Sequence, residues 1–144
     1  MRDAVIFDMD GTLCDTSGIV HLIDGDDEAK DFAAFHAASA DCPARDDVVA
    51  AAREQAEQGR AVLVVTSREF LWRDLTLDWL VAHDVPYDEL HMRIVNDFRP
   101  DVAVKTDILE RIVADGYRVV AAWEDAPDVA ALWRTHDIEV HVVG

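Results

Sequence analysis

Two aspartates, Asp8 and Asp10, stand two positions apart at the end of the apolar run Ala4-Val5-Ile6-Phe7, and Gly11-Thr12 follows at once. Carboxylates this close repel one another unless a cation lies between them, so the pair itself argues for a metal ion. Diverging at a strand-to-loop bend, one can attack phosphorus while the other manages a proton, and glycine lets the chain turn sharply there. Other reactive types follow other apolar runs: Thr66, Ser67 and Arg68 after residues 61–65, Lys105 in the helical stretch opening at Asp101, and Glu124 and Asp125 after residues 119–123, with Asp128 one turn on. Carboxylates from two segments make an oxygen-rich nest suited to magnesium. A hydroxyl, an arginine and a lysine beside it suit a phosphate. Taken singly, an Asp-x-Asp pair most often marks a solvated loop, and Thr66-Ser67 or Glu124-Asp125 could cap the helix that follows. The common placement of all four groups at strand ends points instead to one site.

The elements that must position them can be read from the alternation of short apolar runs with helical patterns. Residues 4–7, 61–65, 90–92, 119–123 and 138–143 are short, rich in β-branched residues and bounded by charge or glycine, as suits strands buried on both faces of a parallel sheet. Helices are predicted over 46–58, 69–83, 101–115 and 127–135. The second carries Leu71, Leu75 and Trp79 at four-residue steps, and the third carries Val104, Ile108 and Ile112 likewise. Strands alternating with helices predict a doubly wound α/β sheet, whose ligand lies outside the carboxyl ends of the strands. An insertion at about 14–45 breaks the rhythm: an irregular flap or hairpin over 18–28, then a short helix over 29–39 with Phe32 and Phe35 on one side. It is too short for a cap with its own core, which predicts a partly open site for a bulky or polymeric substrate.

The 144 residues make one ordinary domain, with no repeat or low-complexity segment. A formal net charge of -17 repels bulk nucleic acid and anionic membranes, yet leaves room for one nucleic-acid end held in a small cationic pocket. No apolar run is long enough to cross a bilayer, no signal-peptide pattern is present, and Cys14 and Cys42 lack paired-thiol or zinc spacing. These features predict a cytoplasmic protein with free thiols and no membrane partner. Trp72, Trp79, Trp123 and Trp133 fall at core positions and read as packing, and the histidines show no metal-ligand spacing.

The motifs resemble those of the haloacid dehalogenase superfamily of phosphotransferases: FDMDGTL as the first, VVTSR with the hydroxyl of Thr66 as the second, Lys105 as the third and WEDAPD as the fourth. The stretches DFAAFHAASADCP, VVTSREFLWRDLTLDWLVAH, HMRIVNDFRPDVAVK and DVAALWRTHDIEVHVV further resemble the phosphatase domain of bacteriophage-type polynucleotide kinase. That resemblance implies a three-layer Rossmann-like fold with about five parallel strands and a minimal cap. It implies a Mg2+-dependent phosphomonoesterase that removes 3′-phosphates from nucleic-acid ends during repair, with a separate kinase or ligase as partner. Asp8 would be phosphorylated and Asp10 would act as acid and base. Thr66, Ser67, Arg68 and Lys105 would hold the phosphate. Asp8, Asp10 (through its backbone carbonyl), Glu124 and Asp125 would hold the ion. Asp101 matches the acidic residue before the lysine, and Arg73, Arg93 and Arg99 are candidates for the rest of the substrate. Two departures stand out. The fourth motif usually has two aspartates then arginine, where this chain has Glu124-Asp125-Ala126, and no Gly-x-x-x-x-Gly-Lys-Ser/Thr kinase loop occurs in these residues. The chain is then a stand-alone phosphatase or a domain of a longer protein. Two other functions share these residues: a small-molecule phosphatase such as a nucleotidase, and, remotely, a non-catalytic binding module.

Overall fold

A computed structural model describes residues 1–25 and 30–144. Five strands, β1 (Arg2–Phe7), β2 (Ala61–Glu69), β3 (Glu89–Arg93), β4 (Tyr117–Glu124) and β5 (Glu139–Val142), form one sheet. Every neighbouring pair is parallel, in the order β3-β2-β1-β4-β5. The chain leaves β1 toward β2 and β3 and later returns to its other side with β4, so the strand order reverses at the β1–β4 boundary. In such sheets that reversal opens a crevice at the carboxyl ends of the two strands.

Period-two alternation builds the two faces. Val5, Phe7, Val62 and Val64 pack against α2 (Asp46–Glu57) and α3 (Arg73–Ala82) through Val48, Val49, Ala52, Trp79 and Leu80. Ala4, Ile6, Leu63 and Val65 pack against α4 (Asp101–Ala114) and α5 (Pro127–Thr135) through Val104, Ile108, Ile112, Val129 and Trp133. The predicted three layers are therefore present. Phe7, Trp123 and His141, in register on β1, β4 and β5, stack their rings with centroids 4.4 and 4.3 Å apart, which ties the strands together at the site end.

Two expectations are corrected. The strand predicted over 61–65 runs on to Glu69, because it stays paired with β3 as far as Glu69–Arg93 across a register shift. Thr66, Ser67 and Arg68 thus sit on a strand rather than after it. The following helix starts at Arg73, after a 3-10 turn at Phe70–Trp72, which removes Leu71 from the apolar stripe and leaves it exposed while Thr76, Trp79 and Leu80 are buried. Within the insertion, a 3-10 turn at Val20–Leu22 precedes α1 (Phe32–Ser39), capped by the Asp31 carboxylate accepting from Ala34 N at 2.9 Å. Phe35 is buried and Phe32 exposed, and both lie against the His36 ring. Residues 26–28 of the predicted flap lie outside the described residues. Cys14 and Cys42 are free and buried.

Candidate active site

The turn after β1 is closed by Gly11 N donating to Cys14 O and Cys14 N to Met9 O, both at 2.9 Å. Gly11 has φ +81°, and a Cβ there would strike the Asp125 carboxylate. Only glycine lets the two acidic segments approach this closely. Thr12, fully buried, faces both: its hydroxyl lies 3.2 Å from Asp8 Oδ2 and 3.1 Å from Asp125 Oδ1.

Lys105 projects from the first turns of α4 to the same point. Its Nζ donates to Asp8 Oδ1 at 2.9 Å and to Glu124 Oε2 at 3.3 Å, and all three side chains are buried. Burial opposes charge on Lys105, but Asp8 and Glu124 outweigh it, and the ammonium is held more firmly than an ordinary lysine. Burial lifts Asp8 well above the usual carboxylate range, with Lys105 pulling down and Glu124 up. Glu124 is pushed up to about 7 by burial, again against Lys105, with Asp125 adding to the rise.

Asp10 takes a different course. Its carboxylate receives a two-pronged contact from Arg68, with Nε to Oδ2 at 3.0 Å and Nη2 to Oδ1 at 2.6 Å. The third arm of Arg68 donates to Thr76 Oγ1 at 3.0 Å. The Arg68 side chain is wholly buried and that of Asp10 is 23% exposed. Arg68, the candidate for the phosphate, lines the cavity and braces Asp10. Thr66 is buried and accepts from Arg68 N at 3.2 Å, while the buried Ser67 hydroxyl has no partner among the described residues. An unpartnered hydroxyl on the wall of a polar cavity suits a ligand that accepts hydrogen bonds.

One carboxylate oxygen from each of Asp8, Glu124 and Asp125 lies within 4.8 Å of the others. At full ionisation the group made by the carboxylates of Asp8, Asp10, Glu124 and Asp125 with the two cations bonded among them, Lys105 and Arg68, has a formal excess of two negative charges. This hard-oxygen set with uncompensated charge fits Mg2+. The Asp10 side chain stands apart from the trio, and Asp128 does not line the cavity.

The cavity has a volume of about 610 Å³ and is lined by Asp8, Asp10, Thr66, Ser67, Arg68, Lys105, Glu124 and Asp125 at its base. The outlying candidates divide. Arg93 and Arg99 line it but are engaged with the protein. Arg93 donates to Ser67 O (2.9 Å), Asp97 O (2.8 Å), Arg99 O (2.6 Å) and Asp101 Oδ1 (2.6 Å), so that it staples β2, the loop after β3 and α4 together. Arg99 pairs with Asp97 and Asp107 at 2.8 and 2.7 Å. Arg73 is outside the cavity, its guanidinium over the Phe70 ring.

The family described as "Polynucleotide kinase PNKP phosphatase domain" matches residues 2–144. The chain belongs to this family. As a phosphatase domain of that kind it also resembles solved structures. It is 24% identical to a chain of the "Pnkp1/Rnl/Hen1 complex", with a TM-score of 0.81, covering 99% of this chain and 46% of that one. It is 26% identical to a chain of the "Pnkp1/Rnl/Hen1 RNA repair complex", with a TM-score of 0.80, covering 99% of this chain and 42% of that one. The class C acid phosphatase from Bacillus anthracis shares the fold at 14% identity and a TM-score of 0.67, covering 86% of this chain and 51% of that one. The phosphatase domain thus spans less than half of the repair-complex chains it resembles. No curated protein matches it.

Three features of the phosphatase domain escape sequence reasoning. Thr12 bridges the carboxylates of Asp8 and of Asp125, the latter 113 positions from it, although its place beside Gly11 is the signal. His36, whose Nδ1 is buried without a partner among the described residues, lines the cavity from α1. Phe32 and Phe98 line it as well; Phe32 is marked only by its helical spacing to Phe35, and nothing marks Phe98.

Proposed function

We propose that this phosphatase domain is a Mg2+-dependent phosphomonoesterase that works through phosphorylation of Asp8 and removes 3′-phosphate from nucleic-acid ends. The observation that carries the reading is the convergence of Lys105, Glu124 and Asp125 on Asp8, with Lys105 Nζ 2.9 Å from Asp8 Oδ1. The family match supports the nucleic-acid part of it.

The Asp8 carboxylate attacks phosphorus in line, and the bond to the leaving oxygen breaks as the new P–O bond forms. Asp10, held by two hydrogen bonds from Arg68, gives its proton to that oxygen, releasing an alcohol. Asp10 then takes a proton from water, which attacks phosphorus and frees Asp8 and inorganic phosphate. Thr66, Ser67 and the backbone around them hold phosphoryl oxygens, and Lys105 offsets charge on Asp8 and the phosphoryl group. Asp8, Glu124, Asp125 and the Asp10 backbone carbonyl would hold Mg2+, which when bound supplies charge neutralisation for the phosphoryl oxygens. Because similar chains belong to an RNA repair complex, a kinase and a ligase are the partners proposed for this domain, on a longer chain or as separate proteins.

The test is a panel with magnesium: a 3′-phosphorylated oligonucleotide, its 5′-phosphorylated isomer and free mononucleotides. The 3′-phosphorylated end should be hydrolysed fastest. Preference for the mononucleotides would transfer the assignment to a nucleotidase. Asp8→Asn should abolish turnover on every substrate while leaving the far-UV spectrum and melting cooperativity intact, and activity in that variant would remove Asp8 as nucleophile.

A further inference from the structure

The cavity that holds Asp8 is lined by exposed aromatic rings as well as by charged side chains, Lys30 among them. Phe98 is 82% exposed and Phe32 is 52% exposed, and both line the cavity that holds Asp8. Single exposed apolar residues are ordinary. These two come from separate segments, the loop after β3 and α1, and line one cavity. Each is backed by structure. Phe32 stacks on His36 at 6.4 Å between centroids, and His36 packs on Trp72 at 5.7 Å. Phe98 sits in a loop fastened on both sides by the hydrogen bonds of Arg93 and the ion pairs of Arg99, so the ring is held outward by a braced backbone.

Meanwhile each arginine lining the cavity is already matched to a carboxylate: Arg68 to Asp10, Arg93 to Asp101, Arg99 to Asp97 and Asp107. With a net charge of -17 around them, these groups offer a phosphodiester backbone little uncompensated positive charge. A base has a π-face that stacks on such rings irrespective of sequence.

We propose that Phe32 and Phe98 grip the unpaired terminal base of a single-stranded 3′-phosphorylated end, so that the leaving nucleotide is recognised by ring contact rather than by backbone charge. This rests on the reading of the domain as a nucleic-acid 3′-phosphatase and names how that site selects its substrate. A base in a duplex must first be unstacked and unpaired, at a cost of a few kcal/mol, so duplex ends are the poorer substrates.

The experiment is a cycle between enzyme and substrate. Wild type, Phe98→Leu and Phe32→Leu, all as the full chain with magnesium, are assayed on a single-stranded 3′-phosphorylated oligonucleotide. They are then assayed on the same strand ending in a stable tetrahydrofuran abasic residue. Removing the base should lower kcat/KM of the wild type roughly tenfold, the scale of one stacking contact. Each variant should show most of that loss on the base-bearing strand and little further loss on the abasic one. Phe98→Trp should restore the preference for the base. The salt dependence of log kcat/KM should have a slope smaller in magnitude than about 1, as expected when hardly any backbone phosphate is neutralised. Equal losses on both strands, no loss on either, or a steep salt slope would each overturn the grip. Wild type that hydrolyses glycerol phosphate but neither strand would overturn the 3′-phosphatase reading and the grip with it.

Discussion

Arg68 shows how a residue can be legible in type and not in role. Its place two positions after Thr66 marks it for the site, but its partner depends on side-chain geometry across 58 positions, and that partner is Asp10. An arginine that acts through the general acid should matter most when the leaving group most needs a proton. Arg68→Lys keeps the charge and loses the two-pronged geometry. It should therefore lower kcat about tenfold or more on alkyl phosphates and much less on p-nitrophenyl phosphate, with KM little changed. A rise in KM at constant kcat would return Arg68 to direct phosphate binding. Lys105, Glu124 and Asp8 were readable because reactive types fall together where apolar runs end and helices open, whereas the shared hydroxyl of Thr12 emerges only when β1 and β4 are adjacent.

Elements set the tolerances around those residues. The turn after β1 must bring its backbone against Asp125, and Gly11→Ala adds both a left-handed φ penalty of about 1–2 kcal/mol and a clash with that carboxylate. Melting temperature should fall modestly and kcat sharply, because the displaced group is Asp125 itself. On α1, burial holds the His36 imidazole neutral, down at about 4 against an ordinary 6.5. The unfolded chain then binds a proton at higher pH than the folded one. His36 therefore contributes stability that is full above about pH 6.5 and is lost as the pH falls toward 4. Denaturant titrations of wild type and His36→Phe should diverge across that window by about 2 kcal/mol, after allowance for the ring's partial exposure. Parallel curves would mean that the ring titrates in solvent. The strand that outran its prediction, β2, belongs at this scale too: pairing with β3 carried regular structure through Thr66–Arg68, and local propensity holds no record of a neighbouring strand.

The whole molecule carries a formal charge of -17, and its site concentrates carboxylates that fold together only at a cost. Ion binding should therefore stabilise the fold. Mg2+ at a hundredfold over its Kd should add about 2.7 kcal/mol and raise the melting temperature, with reversal by a chelator, and Asp125→Asn should blunt the shift. An unchanged melting curve would remove the ion from the carboxylate trio. Among the described residues no helix is long and apolar enough to cross a membrane. The layering itself follows from alternation along the strands, which is why the fold class was readable from apolar periodicity without any long-range information.

What the amino-acid order determined by itself is the chemistry available: carboxylates and a hydroxyl at the carboxyl ends of apolar runs, a lysine near the start of a helical stretch, and helices whose stripes face a sheet. Those are local properties, set by residue type and by periods of two and 3.6. Tertiary structure alone decided who meets whom. It sent Arg68 to Asp10 and turned Arg93 and Arg99 back onto the protein. It also carried Phe98, a loop residue with no mark in the sequence, to the cavity that holds Asp8. Such pairings depend on ångström-scale approach between segments far apart in the chain, which no spacing along the sequence encodes.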